Sequence, residues 1–469
     1  MSSLVFGVAA ANVTFVSVGY AILWPTLRQS TATRWLACCG VALLAGAGAI
    51  GITLSILAVV GLSVGSITFG VAAAVIACLG VGAGRYVAPP PELPGDRPAR
   101  TSSVLELVLA ASARTAVFVL ATLIVIAGFR TAAWLDDSWT FWLPKGLLLT
   151  SRGLDPRPFS GGSGYETFFN ADYPLWWSII GGVDMRLVGR VDLRVLDAQV
   201  ALLLVAFIGA VAQQLQRRVR PSILWLSLLL IVAAPELSYQ ALDGAADVPL
   251  AIYFAAAALA ASNWVLRGES LSLWLTFLFA ATAVNIKDEG APLLVLCLFV
   301  PAVIASRHVP RRRVQRLSGV LAAALLTAVP WLVWRTVHGV SSYVFSWNSF
   351  NPSHLAGHID RLSPSVRAVG HQLGYSREWF LIVPIFVVLT FVAALVDRQA
   401  LWLVPVLGLA LGSAFFVWVY WSGPIDLSFW LPTSAYRVVD SLVLSSAVAI
   451  PLIAEHLLRR ASSRAVRAL

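Results

Sequence analysis

The sequence predicts an all-α polytopic membrane protein, and three observations carry that prediction. Of the 469 residues, 59% are hydrophobic and only 12% charged, against roughly 45–50% and 25% in soluble domains. The apolar residues fall into long runs, about thirteen of which approach the ~20 residues that cross a bilayer as a helix. The charges gather between those runs, and arginine is concentrated on alternate connections, the pattern that orients spans with basic loops inside.

In chain order the expected spans are 3–24, 36–59, 61–84, 104–130, 194–215, 221–236, 248–266, 271–286, 289–306, 318–337, 379–396, 400–421 and 437–457. The first run, Met1 to Trp24, lacks a basic start and a clear cleavage site, so it reads as a span and not as a leader. The first three spans form an N-terminal unit, 1–84. The run Pro89-Pro90-Pro91-Glu92-Leu93-Pro94-Gly95-Asp96-Arg97-Pro98 makes 85–103 a stiff linker. A core follows at 104–457, and a basic tail occupies 458–469. The segment 174–190 reads as a half-span or an interfacial helix. No inverted repeat is evident, which weighs against a secondary transporter.

The net charge is +10. In a soluble protein that would suggest a nucleic-acid partner, but here topology explains it. Arg217, Arg218, Arg220, Arg267, the cluster Arg307–Arg316, Arg398 and the tail Arg459–Arg467 all fall on one side by span counting, and that side is expected to be cytoplasmic, with the C-terminus. The opposite side holds 131–193, 237–247, the turn near 287–290, 338–378 and 422–436. These outer loops are longer and more aromatic, and they carry most of the acidic groups; long ordered loops commonly carry function. Lys145 and Lys287 are the only lysines among many arginines. With abundant alanine, this fits GC-rich bacterial coding and hence a bacterial plasma membrane. Cys38, Cys39, Cys78 and Cys297 lie inside apolar runs without metal-ligand spacing and are expected to be buried as small hydrophobes.

The outer connections hold the residues capable of chemistry. Asp136 and Asp137 emerge at the end of a span, where a carboxylate is far cheaper than at a helix centre. They suit either a solvated helix end or a general base that takes a proton from a sugar hydroxyl. Mutual repulsion would favour a proton on one of them near neutral pH. Lys145 follows in the same loop. Tyr173 lies in Asn170-Ala171-Asp172-Tyr173-Pro174-Leu175-Trp176-Trp177, a sequence suited to an aromatic belt or to stacking on a sugar. Asp247 precedes Val248-Pro249, where an acid complements the helix dipole; Asp243 lies too far from the helix start for that role. Lys287, Asp288 and Glu289 interrupt about forty apolar residues, either as a turn whose charges pair locally or with Lys287 poised for an anionic phosphate. Arg437 opens a late span against the positive-inside trend, so a phosphate or carboxylate partner is expected, with snorkelling to headgroups as the alternative. His354 and His358 have helical i, i+4 spacing without a third ligand, so acceptor binding in loop 338–378 is the better expectation and no metal site is assigned.

Taken together these residues resemble the GT-C superfamily of membrane glycosyltransferases, nearest to the branch of protein O-mannosyltransferases and lipid A aminoarabinose transferases. Asp136-Asp137 with the run through Lys145, Gly153 and Pro156 looks like that branch's acidic pair and helical outer loop. Tyr173-Pro174-Leu175, Asp247-Val248-Pro249-Leu250, Lys287-Asp288-Glu289-Gly290 and Arg437 match later elements in the same order. The resemblance covers roughly 104–457. It implies a GT-C-like core and transfer of a sugar, with arabinose and mannose as candidates, from a polyprenyl-phosphate donor. The acceptor would be a hydroxyl of an envelope glycan, glycolipid or protein, commonly with inversion at the anomeric carbon. It further implies that Asp136 or Asp137 acts as base, that Lys287 and Arg437 hold the donor phosphate, and that Lys145, Tyr173, Asp243, Asp247, Asp288, Glu289 and His354 line the substrate site. No cofactor is required by this scheme, although some superfamily members use a divalent cation. The alternatives are a flippase or transporter for lipid-linked glycans, an envelope polysaccharide polymerase or ligase, and a non-catalytic scaffold.

Overall fold

The computed structural model describes residues 2–28, 30–83, 103–160, 171–342 and 347–468. Among these residues the chain is built of helices and turns, with no strand. Nine helices among the described residues are long and apolar enough to cross a membrane: Ser2–Leu27, Cys39–Val59, Ser66–Ala83, Val104–Gly128, Arg194–Leu215, Asp247–Arg267, Arg311–Val337, Leu401–Ser422 and Leu427–Ser463. The protein is an all-α membrane protein, as its composition predicts. Helices satisfy their own backbone groups, which lipid cannot do for them.

Four other expected spans form shorter apolar helices, Pro221–Val232, Ser270–Val284, Gly290–Ala305 and Ile382–Asp397. At 1.5 Å per residue they rise only ~18–24 Å, less than the ~30 Å hydrocarbon core. Three of them are bounded by a local breaker. Pro235 opens a separate turn of helix after the first, and the charged turn at 285–289 ends the second and begins the third. Two of the long helices are interrupted. Arg311–Val337 divides at Thr327 and Ala328, where Pro330 cannot donate a backbone bond to the preceding turn. The last divides at Val439, giving Leu427–Val438 and Asp440–Ala468. Arg437 therefore closes one helix instead of opening the final span, and the stretch expected as a basic tail continues the last helix through Ala468. Residues 85–102 of the expected linker lie outside the described residues. Ser103, at its end, caps Val104–Gly128 by accepting the Glu106 N–H at 3.2 Å.

The segment expected as a half-span or interfacial helix is Trp176–Val188, terminated by Gly189 at φ +79°. Its residues are buried along nearly the whole length, so it is an interior helix and not a surface one. The N-terminal helices pack onto it and onto the rest of the chain. Asn12 donates to Gln199 at 2.8 Å, and Tyr253 donates its hydroxyl proton to the Leu44 carbonyl at 2.9 Å. Small residues permit this packing, as they do generally where helices meet in lipid. A Cβ on Gly19 would collide with the Ala42 carbonyl, and one on Gly46 with that of Phe15. Of the cysteines only Cys38 is buried; Cys39 and Cys78 lie on the outer surface and Cys297 is half-buried, so the expectation of four buried thiols fails. Their thiols are apolar enough to face lipid as readily as protein.

The two ends of the helix stack differ in chemistry. Helix Asp247–Arg267 spans them, rising about 31 Å. At its arginine end, Arg218 pairs with Glu269 at 2.7 Å, Arg459 with Glu455 at 2.8 Å, and Arg460 with Asp397 at 3.1 Å. Asp397 also meets the His456 ring at 2.6 Å. The aspartate end holds most of the candidate residues.

Candidate functional site

The site is assembled from elements far apart in sequence. The turn 285–289 carries Lys287, Asp288 and Glu289; it can close because Gly290 lies against the backbone of Ala283, where a Cβ would clash. Asp247 begins its helix with Pro249 in the first turn, where proline costs no hydrogen bond. Its carboxylate, in the first turn where an acid suits the helix dipole, also faces Lys287, with Nζ to Oδ1 at 2.8 Å, while the Arg437 guanidinium lies 3.9 Å from its other oxygen. Lys287 also meets Glu289 at 3.5 Å. Arg437 meets Asp137 at 3.0 Å. Local pairing within the turn is limited to Lys287–Glu289; the closer partner of Lys287 is Asp247 and that of Asp288 is Arg335, both remote in sequence. Burial alone would favour a neutral Lys287, but the Asp247 and Glu289 carboxylates outweigh it and hold its pKa above the usual lysine value.

These groups border a narrow cleft of about 10 Å³, room for about one water, lined by Asp247, Lys287, Glu289, Arg437 and Ser441 and by the apolar Leu250, Phe416 and Val438. Buried polar atoms here are left without partners: Arg437 Nε and Glu289 Oε2 have none among the described residues. Such atoms carry a penalty unless something completes them. The Tyr173 ring lies over the other side of Lys287, its centroid 5.4 Å from Nζ.

The adjacent Asp136 and Asp137 do not share one environment. Asp137, half-buried, reaches Arg437, whereas Asp136 is exposed and has no ion pair among the described residues. Asp243 is buried next to the cluster. Its Oδ1 accepts the Ala245 N–H at 2.8 Å, its carbonyl accepts the Ser138 hydroxyl at 2.5 Å, and Oδ2 has no partner among the described residues. Burial pushes its carboxyl up to about 8, and the nearby Asp247 and Asp137 carboxylates add to that push. Gly244, at φ +69° and close to Ala133 and Ser138, is what lets the chain turn there.

Lys145, Asp288 and Tyr173 form a second, contiguous group. Lys145 is 0% exposed. Its Nζ donates to the Ala171 carbonyl at 3.2 Å and the Tyr173 carbonyl at 2.5 Å, between the rings of Phe159 and Trp331. The carbonyl between them, that of Asp172, accepts from Trp331 Nε1 and from Arg335, each at 2.9 Å. Arg335 in turn holds Asp288 at 3.0 Å. Burial lowers the Lys145 pKa to about 7, and burial raises Asp288 to about 8 against the pull of Arg335. Lys145 therefore presents no surface to a ligand; it fixes the 171–173 strap that carries the Tyr173 ring. His354 lies apart. It contacts the Ser422 carbonyl at 2.9 Å, and its ring lies 4.3 Å from that of His358, with no bond to the charged cluster among the described residues. Among the described residues no three His, Cys, Asp or Glu side chains are placed to hold a metal ion.

Sequence reasoning passed over Arg335, Asp172, Asp440 and Ser138. Arg335 and Asp440 each carried a signal, a charge inside an apolar run, the same signal that singled out Arg437. Asp440 accepts from Gln240 at 3.2 Å and keeps a buried, unpartnered oxygen beside the cluster. Ser138 carried none, because a lone serine in a loop is unremarkable until its partner is known.

Fold and site define an all-α membrane protein with a buried, mixed-charge cleft at one end of its helices. No protein family, curated protein or solved structure matches the chain.

Proposed function

We propose that the chain is a GT-C-like glycosyltransferase of a bacterial plasma membrane, transferring a sugar from a polyprenyl-phosphate donor to an acceptor hydroxyl on the extracytoplasmic face. On this reading the nine long and four shorter apolar helices supply about thirteen crossings, the arginine end is cytoplasmic, and the cleft opens outward. The acceptor is an envelope glycan, glycolipid or protein.

The observation that carries the proposal is the composition of the cleft. Two cations, Lys287 and Arg437, meet an apolar wall of Leu250, Phe416 and Val438 with a carboxylate, Asp137, at the outer side of Arg437. A lipid phosphate needs that pairing of cation and apolar wall. The acceptor O–H proton passes to the Asp137 carboxylate, and the oxygen's electron pair forms the new bond to the anomeric carbon. The bond from that carbon to the phosphate oxygen breaks, and its electrons stay on the phosphate. Lys287 and Arg437 stabilise the negative charge gathering there; fixed electrostatics of this kind are often the largest single contribution to rate. Asp247 keeps Lys287 charged and oriented, and Tyr173 covers its far side.

The test is transfer from radiolabelled polyprenyl-phosphate sugars to envelope extract, comparing the wild type with Asp136→Asn, Asp137→Asn and Lys287→Met. Transfer that requires Asp137 and Lys287 supports the proposal. If no donor is consumed or bound by the wild type, the transferase reading fails.

A further inference from the structure

The two cations of the cleft are already paired with carboxylates, so a phosphate entering it competes with those carboxylates for their charge. Three carboxylates are available to leave. Asp247 and Glu289, on Lys287, have side chains only 7% and 12% exposed; Asp137, on Arg437, is 36% exposed. Displacing Asp247 or Glu289 would strand a charge buried in the fold, a costly state. Displacing Asp137 sends it into water, where a carboxylate is well solvated. The remaining Arg437 environment favours the exchange. Its guanidinium is 10% exposed, lies 3.9 Å from Asp247, and holds a buried Nε with no partner among the described residues. Asp137 engages the guanidinium through a single contact, Nη1 to Oδ2, whereas a phosphate, with several acceptor oxygens, can span the Nη1–Nη2 fork. Asp137 also sits directly before the π-helical turn Ser138–Trp142. Such turns are locally wide and recur where a helix must adjust at a functional site.

We infer that the Arg437–Asp137 ion pair is an exchangeable latch: the phosphate of an incoming anionic lipid replaces Asp137 on Arg437, and the carboxylate so released becomes the free base for the acceptor. This rests on the reading of the cleft as a donor site. It orders the events. Without a phosphate, Asp137 is engaged by the Arg437 guanidinium and not free to meet the acceptor. With one, the same cation that stabilises the leaving phosphate has let go of the group that takes the acceptor's proton. Base and donor are therefore armed together, and the acceptor hydroxyl is activated only when a sugar is in place to receive its oxygen.

The latch makes a prediction of unusual sign. If Asp137 competes with phosphate for Arg437, removing its charge tightens phosphate binding while abolishing turnover. The experiment measures the affinity of the purified full-length protein, in nanodiscs of zwitterionic lipid, for farnesyl monophosphate. Farnesol and inorganic phosphate serve as separate arms, for the chain without the charge and the charge without the chain. Asp137→Asn is expected to bind farnesyl monophosphate about three- to tenfold more tightly than wild type, the gain from deleting one partly exposed competitor of a charge-assisted pair. Asp136→Asn should leave that affinity within about twofold, since its carboxylate touches no cation. Arg437→Gln should lose the phosphate-dependent part in both backgrounds. The same fractional gain for inorganic phosphate, and none for farnesol, places the exchange at the charged head. An unchanged or weakened affinity in Asp137→Asn, with the wild-type melting temperature retained, overturns the latch while leaving the donor reading standing. Failure of the wild type to bind either phosphate overturns both.

Discussion

Lys287→Met offers the sharpest test of how the cleft is held together. The substitution keeps the length of the side chain and deletes the charge. In the structure Lys287 Nζ stands 2.8 Å from Asp247 and 3.5 Å from Glu289, with side chains 9%, 7% and 12% exposed. At an effective dielectric constant of 20 the closer contact alone amounts to ~6 kcal/mol of Coulomb attraction, before the cost of desolvating both ions. Measured losses on removing one partner of such a pair run ~3–5 kcal/mol, because a charge is left buried. Arg437, 3.9 Å from the other Asp247 oxygen, should recover part of that, so about 2–4 kcal/mol is expected for Lys287→Met. Adding Asp247→Asn removes the stranded charge, and the double variant should be less destabilised than the two single losses summed, by ~1–3 kcal/mol. The assay is thermal unfolding of the four proteins in one detergent, followed through intrinsic tryptophan fluorescence. Additive losses, or a Lys287→Met protein that melts with the wild type, would refute the view that a buried ion pair organises this cleft.

Three other outcomes are expected. Asp243 holds its proton up to about 8 in the fold, against 3.8 for a free aspartate, so the stability this provides is present at low pH and is lost as pH rises through that window; Asp243→Asn should therefore gain on the wild type between about pH 4 and 8 in a melting series, and a constant difference would contradict the buried carboxyl. Lys145→Met strips the donor from the carbonyls of Ala171 and Tyr173, and should cost about 2–4 kcal/mol and raise hydrogen exchange around 171–173; wild-type exchange there would show that Lys145 does not hold the strap. Gly46→Val places a branched side chain against the Phe15 carbonyl and should destabilise the protein by at least 1–3 kcal/mol, whereas an unchanged melting temperature would mean the N-terminal helices are loosely attached.

Much of the architecture was legible because lipid is a stringent solvent. An apolar run of sufficient length has one backbone solution, so helices such as Arg194–Leu215 and Asp247–Arg267 can be read almost residue for residue. Charges at the ends of those runs were equally visible, since each is expensive enough to need a reason; Asp247, Lys287 and Arg437 were found that way. Boundaries and depth were less legible. Trp176–Val188 could not be recognised as interior from its sequence, because lipid and protein interior are equally apolar. The interruption at Val439 has no proline or glycine to announce it.

Partnership lay beyond the sequence altogether. Asp136 and Asp137 are chemically identical neighbours, and only the approach of Arg437, 300 residues away, separates an exposed carboxylate from a latched one. Lys145 and Lys287 read alike as loop lysines. The fold buries one among carbonyls and aromatic rings as a strut, and the other between carboxylates at the cleft. The sequence by itself determined the class of protein, the helices and the sites of charge, because those follow from the transfer cost of each residue taken singly. Which charges meet, which are solvated and which are left with an unpartnered atom depend on distances between remote segments, and the tertiary structure alone decides those.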